Sequence, residues 1–259
     1  MAHRGRKLKG TAGLEMSDKH ERRDDARRIV ILTGAGISAE SGVPTFRDAG
    51  GLWEGHRIEE VATPGAFLRN PRLVHRFYNL RRADLAERQP NAAHQAISRL
   101  QACRPGRVFL VTQNVDDLHE RGGSSELLHM HGELRRARCE RCLARYEWDQ
   151  DLGTDTACWE CGRTECVRPD IVWFGEMPYG LDLIEQAMSE ADLFIAIGTS
   201  GLVYPAAGLV ELALERRIPR LEFNLTETDA SPYFSETFPG PATQTVPRWV
   251  EQFLTKDQA

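Results

Sequence analysis

Short runs of apolar residues recur along the chain, and each run ends in small or amide residues. They cover residues 28–33, 108–112, 193–197 and 220–223. Short apolar runs bounded by turn residues are typical of strands that are buried on both faces of a parallel sheet. The pattern therefore predicts four strands of one mostly parallel sheet.

Stretches with helical character separate these runs, at residues 91–102, 181–190 and 206–217. Strands that alternate with helices indicate an α/β fold, a Rossmann-like parallel sheet with helices on both faces. In such sheets ligands bind beyond the carboxyl ends of the strands. The polar residues that end the four runs are therefore expected to gather at one site.

Two segments interrupt the alternation. Residues 46–90 contain glycines and prolines between short helical pieces, and residues 133–167 are rich in cysteine and charge. We therefore predict one Rossmann-like domain from residues 28–132 and 168–254, with a helical insert at 46–90 that lines the site and a zinc-ribbon-like module at 133–167. Residues 1–27 and 255–259 are predicted to be tails.

Composition narrows the class of protein. The chain has 259 residues, 41% of them hydrophobic, which suffices for a full core, and a formal net charge of −5. Neither a membrane-spanning run nor a secretory signal is present, so we expect a cytoplasmic protein without a membrane partner. The negative charge argues against a general nucleic-acid binder. The basic residues of 1–27 are predicted to form a flexible tail.

The cysteines are clustered in pairs. A first pair, Cys139 and Cys142, is followed after fifteen residues by a second pair, Cys158 and Cys161. Two such pairs supply four thiolates for one tetrahedral zinc ion and leave no open position for a substrate, so the predicted zinc is structural. Cys166 is interpreted as a neighbouring thiol.

A glycine-rich turn follows the first predicted strand. It begins with Gly34, Ala35 and Gly36, and the next glycine is Gly42. Glycines after a strand let backbone N–H groups approach a pyrophosphate, although a tight structural turn would look the same. The spacing departs from the common dinucleotide fingerprint, so a bound NAD would be held differently from a dehydrogenase cofactor.

These features together resemble the sirtuin family, and in particular its bacterial CobB-type members, from about residue 28 to residue 254. Each motif alone is modest, but they occur in the family's order. The motifs are Gly34 to Arg47, Thr112 to His119, His131 to Leu134, the cysteine pairs, Val172 to Glu176 and Gly198 to Ser200.

The resemblance implies an NAD-dependent removal of acyl groups from protein lysines, which gives nicotinamide and 2′-O-acyl-ADP-ribose. It assigns His131 as the general base that draws a proton from the ribose, and it places Asn114 and Asp116 at the nicotinamide and ribose. An imidazole suits that role because its ordinary pKa lies near neutrality. Without the family, His131 is more readily explained as a structural histidine.

The resemblance also implies a set of residues that contact NAD. They come from the glycine turn, from the segment after it and from the ends of the later strands. The set comprises Gly34, Ala35, Gly36, Ile37, Ser38, Phe46, Arg47, Trp53, Gln113, Asn114, Asp116, Gly198, Thr199, Ser200, Asn224 and Ala242.

The acyl-lysine substrate is expected to bind as an added strand, a mode that reads little sequence, so protein substrates should be varied. By the resemblance its neighbours are Val172, Phe174, Gly175 and Val203.

Tyr78 and Arg81 match a Tyr-x-x-Arg signature of family members that accept acidic acyl groups. Their spacing puts both side chains on one helix face, where a guanidinium can grip a carboxylate. The small Ala62 would leave room for a longer acyl chain. An incidental amphipathic helix is the alternative, because other arginines crowd the same stretch.

Two other functions use the same motifs. One is a mono-ADP-ribosyltransferase with this NAD pocket, and the other is a non-catalytic module that binds ADP-ribose or acyl-lysine. We predict a deacylase that acts on acetyl and on succinyl or malonyl groups and that is a monomer.

Overall fold

A six-stranded parallel sheet forms the centre of the computed structural model, which describes residues 28–45, 52–53, 55–199 and 206–256. Its strands are β1 (Ile29–Thr33), β4 (Val108–Thr112), β5 (Leu127–His129), β9 (Leu193–Ile197), β10 (Arg220–Asn224) and β11 (Glu236–Pro239). Their order in the sheet is β11-β10-β9-β1-β4-β5, and neighbouring strands are parallel throughout.

The apolar runs form the sheet because alternate residues bury on opposite faces. In β1, Ile29 and Ile31 belong to one core cluster, whereas Val30 and Leu32 belong to another. Both faces of the sheet are therefore apolar, and each must be covered by a layer of helices. The four strands predicted from the apolar runs are confirmed, as is the α/β fold class.

Helices cover both faces of the sheet. The first face packs against α5 (Ala92–Cys103) and α9 (Ala242–Lys256), and the second against α7 (Leu181–Ser189) and α8 (Ala206–Glu215). Shorter helices are α1 (Gly36–Ala39) and α6 (Leu118–Arg121), and a 3₁₀ turn covers Ser231–Tyr233.

Helical pieces fill much of the first insert, and their starts follow from capping chemistry. They are α2 (Ile58–Val61), α3 (Pro64–Arg69) and α4 (Pro71–Ala86), after a short hairpin of β2 (Leu52–Trp53) and β3 (His56–Arg57). Thr63 accepts a hydrogen bond from the N–H of Ala66, and proline occupies the first helical position of both α3 and α4. Proline suits that position because its missing N–H would be unpaired there anyway.

The cysteine-rich segment contributes to a second sheet, which is antiparallel. It has the order β7-β6-β8, with β6 (Gly132–Cys139), β7 (Arg145–Glu147) and β8 (Val167–Ile171). β6 begins directly after His131, and β8 ends directly before Val172. The cysteine-rich segment is thus tied at both ends to segments with predicted functional residues.

Several predicted residues and segments lie outside the described ranges. They are Phe46, Arg47, Ser200, Val203 and most of the tails; of Trp53 only the backbone is described. Within the described ranges, every helix is too short or too polar to be a membrane span.

Candidate active site

A cavity of about 750 Å³ lies where β1, β4, β9 and β10 end. Residues at or just after the ends of these four strands reach its wall, as expected for the carboxyl edge of a parallel sheet. The predicted site residues that line it are Gly34, Ala35, Gly36, Ala62, Tyr78, Arg81, Gln113, Asn114, Asp116, His131, Val172, Phe174, Gly175, Gly198, Thr199 and Asn224.

The two glycine turns at this edge touch each other. A Cβ atom on Gly36 would lie 2.7 Å from the Cα of Gly198, and one on Gly198 would lie 2.4 Å from the backbone nitrogen of Ile37. Gly198 also has a φ of 60°, which favours glycine. The turn after β1 and the turn after β9 can therefore approach only because both lack side chains.

The polar residues after β4 form a hydrogen-bonded chain with the glycine turn. The Asn114 amide donates to the Ser38 hydroxyl over 3.2 Å, and that hydroxyl donates to the Asp116 carboxylate over 3.0 Å. All three side chains are buried. Burial raises the pKa of Asp116, and the hydrogen bond from the Leu118 N–H opposes that rise. Ser38 therefore holds Asn114 and Asp116 from behind the cavity wall.

A second buried layer supports this chain. Thr33 bonds to Thr112 over 2.8 Å and to a ring nitrogen of His119 over 2.9 Å, and the rings of His94 and His119 are 4.9 Å apart. Burial lowers the pKa of His94 to about 4 and that of His119 well below its ordinary value. Both histidines are therefore uncharged, and their side chains are fully buried.

His131 is placed to act as a base. Its Nδ1 lies 3.0 Å from the Gln113 carbonyl oxygen, which can only accept, so Nδ1 carries a proton and, when the ring is neutral, Nε2 keeps a free electron pair. Burial lowers the pKa of His131, and the bond to Gln113 only partly opposes this. The ring is therefore neutral at physiological pH, which is the state that a general base requires.

The helix α4 presents Tyr78 and Arg81 to the same cavity, as their spacing predicts. Both are buried, with exposed fractions of 0% and 8%. The indole N–H of Trp173 donates to the Tyr78 hydroxyl over 2.9 Å. Burial raises the pKa of Tyr78 far above its ordinary value, so the phenol keeps its proton.

The other arginines of α4 have different surroundings. Arg72 and Arg76 are exposed, and Arg82 is buried, donating to the carbonyls of Leu134 and Gln150. Of these four arginines, only Arg81 lines the cavity. The structure thus separates Arg81 from the neighbours that made its role ambiguous in the sequence.

The four paired cysteines form one cluster that fits a zinc ion. The sulfur atoms of Cys139, Cys142, Cys158 and Cys161 all lie within 4.8 Å of one another. Two of these separations are 3.8 Å and 3.6 Å. Tetrahedral zinc with bonds of about 2.3 Å needs sulfurs about 3.8 Å apart. Cys166 lies 3.5 Å from Cys139 and points to the Arg163 carbonyl, so it remains a neighbouring thiol.

Three predicted contacts lie behind the wall of the cavity. Ile37 and Ser38 are fully buried, and Ala242 is buried at the start of α9 in the same core cluster as Ile37. Sequence reasoning also missed lining residues, among them Trp173 and the loop from Thr226 to Asp229. Trp173 meets Tyr78 across 95 positions of sequence, and no local pattern signals such a pair.

Comparisons with known proteins agree with this geometry. A model described as the Sir2 family matches residues 34–205. An NAD-dependent protein deacylase of Bdellovibrio bacteriovorus is 59% identical over 230 residues, which are 88% of this chain and 97% of that protein. A solved Sir2 homologue in complex with NAD is 39% identical, with a TM-score of 0.81 over 95% of this chain and 97% of that one. A Sir2 protein bound to an acetylated peptide is 28% identical, with a TM-score of 0.75 over 92% and 98%.

Proposed function

Because this chain belongs to the Sir2 family, we propose that it removes acyl groups from lysine side chains of proteins in a reaction that consumes NAD. The observation that carries the proposal is the neutral His131 on the wall of a cavity that also holds Asn114, Asp116 and the glycine turns. Relatives that align along almost their whole length are NAD-dependent protein deacylases.

The cavity residues suit NAD. The closely packed turns at Gly34 and Gly198 leave the floor free of side chains, and Gln113, Asn114 and Asn224 offer polar groups for ribose hydroxyls. When bound, NAD supplies the ADP-ribosyl group that accepts the acyl group. Phe46, Arg47, Trp53 and Ser200 remain proposed contacts, as does Ala242.

Each polar residue then has a distinct task. His131 accepts a ribose hydroxyl proton at Nε2, while its Nδ1–H bond to Gln113 fixes the ring. Asn114, held by Ser38, orients the ribose. Asp116 is kept in place by Ser38 and by the Leu118 N–H, so it presents a fixed carboxylate to the nicotinamide end.

The test of this function is mass-spectrometric turnover of an acetyl-lysine peptide with and without NAD. We expect deacylated peptide, nicotinamide and acyl-ADP-ribose only when NAD is present. Transfer of label from NAD onto protein without an acyl substrate would instead support the ADP-ribosyltransferase. If no substrate is turned over even at high enzyme concentration, the result would support the non-catalytic module that binds ADP-ribose or acyl-lysine.

We propose further that the enzyme accepts acyl groups that end in a carboxylate, such as succinyl and malonyl, as well as acetyl. The support is the placement of Arg81 and Tyr78 on one cavity wall, with the small Ala62 beside them. Arg81 can offer two N–H groups to a carboxylate, and the protonated phenol of Tyr78 can offer a third donor. The peptide backbone would lie along Val172, Phe174, Gly175 and Val203.

Replacing Arg81 with methionine is expected to lower kcat/KM for succinyl-lysine peptides by at least about 30-fold. Truncating one partner of a buried charged pair costs about 2–5 kcal/mol, and each 1.4 kcal/mol is about tenfold. Deacetylation should change by less than about threefold, because an acetyl group has no carboxylate. Parallel turnover of matched acetyl and succinyl peptides measures both effects.

The matched control is Arg76→Met, which removes an exposed arginine from the same helix. It should leave both activities unchanged. Equal losses on acetyl and succinyl substrates in Arg81→Met would contradict the carboxylate role and would make Arg81 a structural residue.

The division of the chain is also a proposal. We propose that residues 28–132 and 168–254 form the NAD domain and that 133–167 form the zinc module, with 46–90 as the helical insert. The antiparallel sheet of β6, β7 and β8 is separate from the parallel sheet and supports a distinct module, although β8 runs on to Ile171, beyond the predicted limit at residue 167. A monomer in solution remains a prediction.

A further inference from the structure

His129 lies two residues before the proposed base and occupies a different environment. Its Nδ1 is 3.0 Å from the backbone carbonyl oxygen of Asn114, and its Nε2 is 2.7 Å from a carboxylate oxygen of Glu120. The imidazole is buried, with a side-chain exposure of 8%, whereas Glu120 reaches solvent. One ring thus joins the surface carboxylate to the peptide of a proposed catalytic residue.

The partners of His129 decide its protonation state. A carbonyl oxygen and a carboxylate oxygen can both only accept hydrogen bonds, so each ring nitrogen must donate. His129 therefore carries two protons and a positive charge. His131 also donates from Nδ1 to a carbonyl, that of Gln113, but the contacts described at its Nε2 include no carboxylate. His129 and His131 thus bind the carbonyls of two successive residues, Asn114 and Gln113, but the first ring is a cation and the second is neutral.

The electrostatic surroundings agree with this assignment. Burial by itself lowers the pKa of His129, but the hydrogen bond and charge of Glu120 outweigh it, and the pKa lies above its ordinary value. The charged or titratable groups that face the ring are Glu120 from α6, Glu133 from β6, Asp116 and His119. The positive charge in turn lowers the pKa of Asp116 and so favours its ionised form against burial.

We propose that His129 is a positioning residue, which as an imidazolium held by Glu120 fixes the Asn114 peptide. The role rests on the proposed deacylase reaction for its effect on turnover, since Asn114 acts there on the ribose. A charge-assisted bond is about twice as strong as a neutral one, so the cation holds the peptide more firmly than a neutral ring would.

The role predicts how turnover depends on pH. His129 acts in its protonated form, so its contribution is present below its pKa and is lost as the pH rises through it. Because Glu120 raises that pKa and both ring nitrogens face acceptors, the native enzyme retains the cation to a higher pH than a free imidazole does. Without the Glu120 carboxylate the pKa of His129 falls, so the contribution of His129 to turnover is lost at a lower pH.

The variant that tests this is Glu120→Gln, which keeps the shape of the side chain and removes its charge. We expect kcat of this variant to fall about tenfold relative to the native enzyme at pH values between the two pKa values of His129, with a difference that shrinks toward more acidic and more alkaline pH. Loss of orientation at a reacting centre has effects of this size or larger. Glu120→Asp, which keeps a carboxylate, should recover part of the lost activity. The control Glu126→Gln, at an exposed position before β5, should leave the profile unchanged.

A second measurement does not depend on turnover. Nitrogen-15 NMR of the ligand-free protein should show both ring nitrogens of His129 protonated at pH 7.5 in the native chain and only one in Glu120→Gln. The carbonyl carbon resonance of Asn114 should titrate with the same midpoint as His129. If native His129 is neutral at pH 7.5, or if the Glu120→Gln profile coincides with the native one, the proposal is overturned.

Measuring the metal content distinguishes this role from metal binding by Glu120, His129 and Glu133. The ligand atoms of Glu120, His129 and Glu133 lie within 4.8 Å of one another, a spacing that a metal ion could bridge. About one zinc per chain, equal in the native protein and in Glu120→Gln, supports the imidazolium. A second zinc that Glu120→Gln loses would overturn it. If the native chain lacks deacylase activity, the NMR results still decide the state of His129, so the two proposals fail separately.

Discussion

His131→Ala is expected to lower kcat for NAD-dependent deacylation about 10³-fold while leaving NAD affinity within a few-fold of the native value. A positioned general base contributes about 10²–10⁴ to the rate, and alanine removes the only atom of this residue that can accept the proton. The wall of the cavity keeps the glycine turns and Asn114, which His131 does not hold through its side chain. Mass-spectrometric turnover measures the first effect, and calorimetric titration with NAD measures the second.

A matched control is His56→Ala, which removes an imidazole that packs against Phe77 and is not among the residues that line the cavity. It should preserve turnover. If His131→Ala instead loses NAD binding in step with activity, His131 is a structural part of the pocket and the assignment as a base is wrong.

The pH profile adds a second check on His131. Because burial lowers its pKa below the ordinary value of 6.5, the neutral base persists into mildly acidic solution. Activity should therefore rise with pH through an inflection below 6.5 and then remain on a plateau across neutrality. An inflection above 6.5 would mean that the ring is charged in the free enzyme.

Cys139→Ser is expected to abolish zinc binding and to unfold the cysteine-rich module. Structural zinc sites contribute apparent binding free energies of about 10–16 kcal/mol in small zinc-binding peptides, far more than the free energy of a small packed cluster. The core beside the zinc cluster is small, with Trp148, Leu152 and Val167 among its apolar members. Zinc content by atomic emission and protease sensitivity of residues 139–166 measure the two effects.

Loss of the module should also reduce deacylation. Arg168 of β8 is fully buried and bonds to Glu140, which lies next to Cys139, and to Glu176, which lies on the cavity wall. The guanidinium also stacks 3.7 Å from the ring of Trp173, which in turn donates to Tyr78. Unfolding of the cysteine-rich module would therefore free Arg168, which holds Glu176 and Trp173 in the wall of the cavity.

Two controls test the ligand assignment. Cys103→Ser changes an exposed cysteine outside the cluster, and Cys166→Ser changes the buried thiol beside it. Both variants should retain about one zinc per chain, because four other sulfurs complete the tetrahedron. Zinc loss in Cys166→Ser would show that this thiol is a ligand and that the paired spacing misidentifies one of the four.

The fold was largely predictable because its signals are local. An apolar run of five residues such as 193–197 can be satisfied only by burial on both sides, which a parallel sheet with two helical layers provides. The zinc cluster was predictable for a related reason, since two Cys-x-x-Cys pairs each bring two thiolates together within one turn.

The candidate site was predictable only in part. The residue types after each strand indicated where ligands would bind, but the individual roles of His131 and Arg81 came from the family resemblance. Pattern alone favoured a structural histidine and an incidental arginine. The pair formed by Trp173 and Tyr78 had no signal, because it joins residues that are distant in sequence.

By itself the sequence determined the alternation of four strands with helices, the cysteine cluster and the edge of the sheet at which the cavity lies. Tertiary structure alone decided which titratable groups are charged. His129 and His131 are the same residue type two positions apart, and both donate to a carbonyl. They differ because α6 brings the Glu120 carboxylate to one ring, whereas burial dominates at the other. The pKa of a side chain depends on solvent exclusion and on neighbouring charges, and both are set by packing between distant segments.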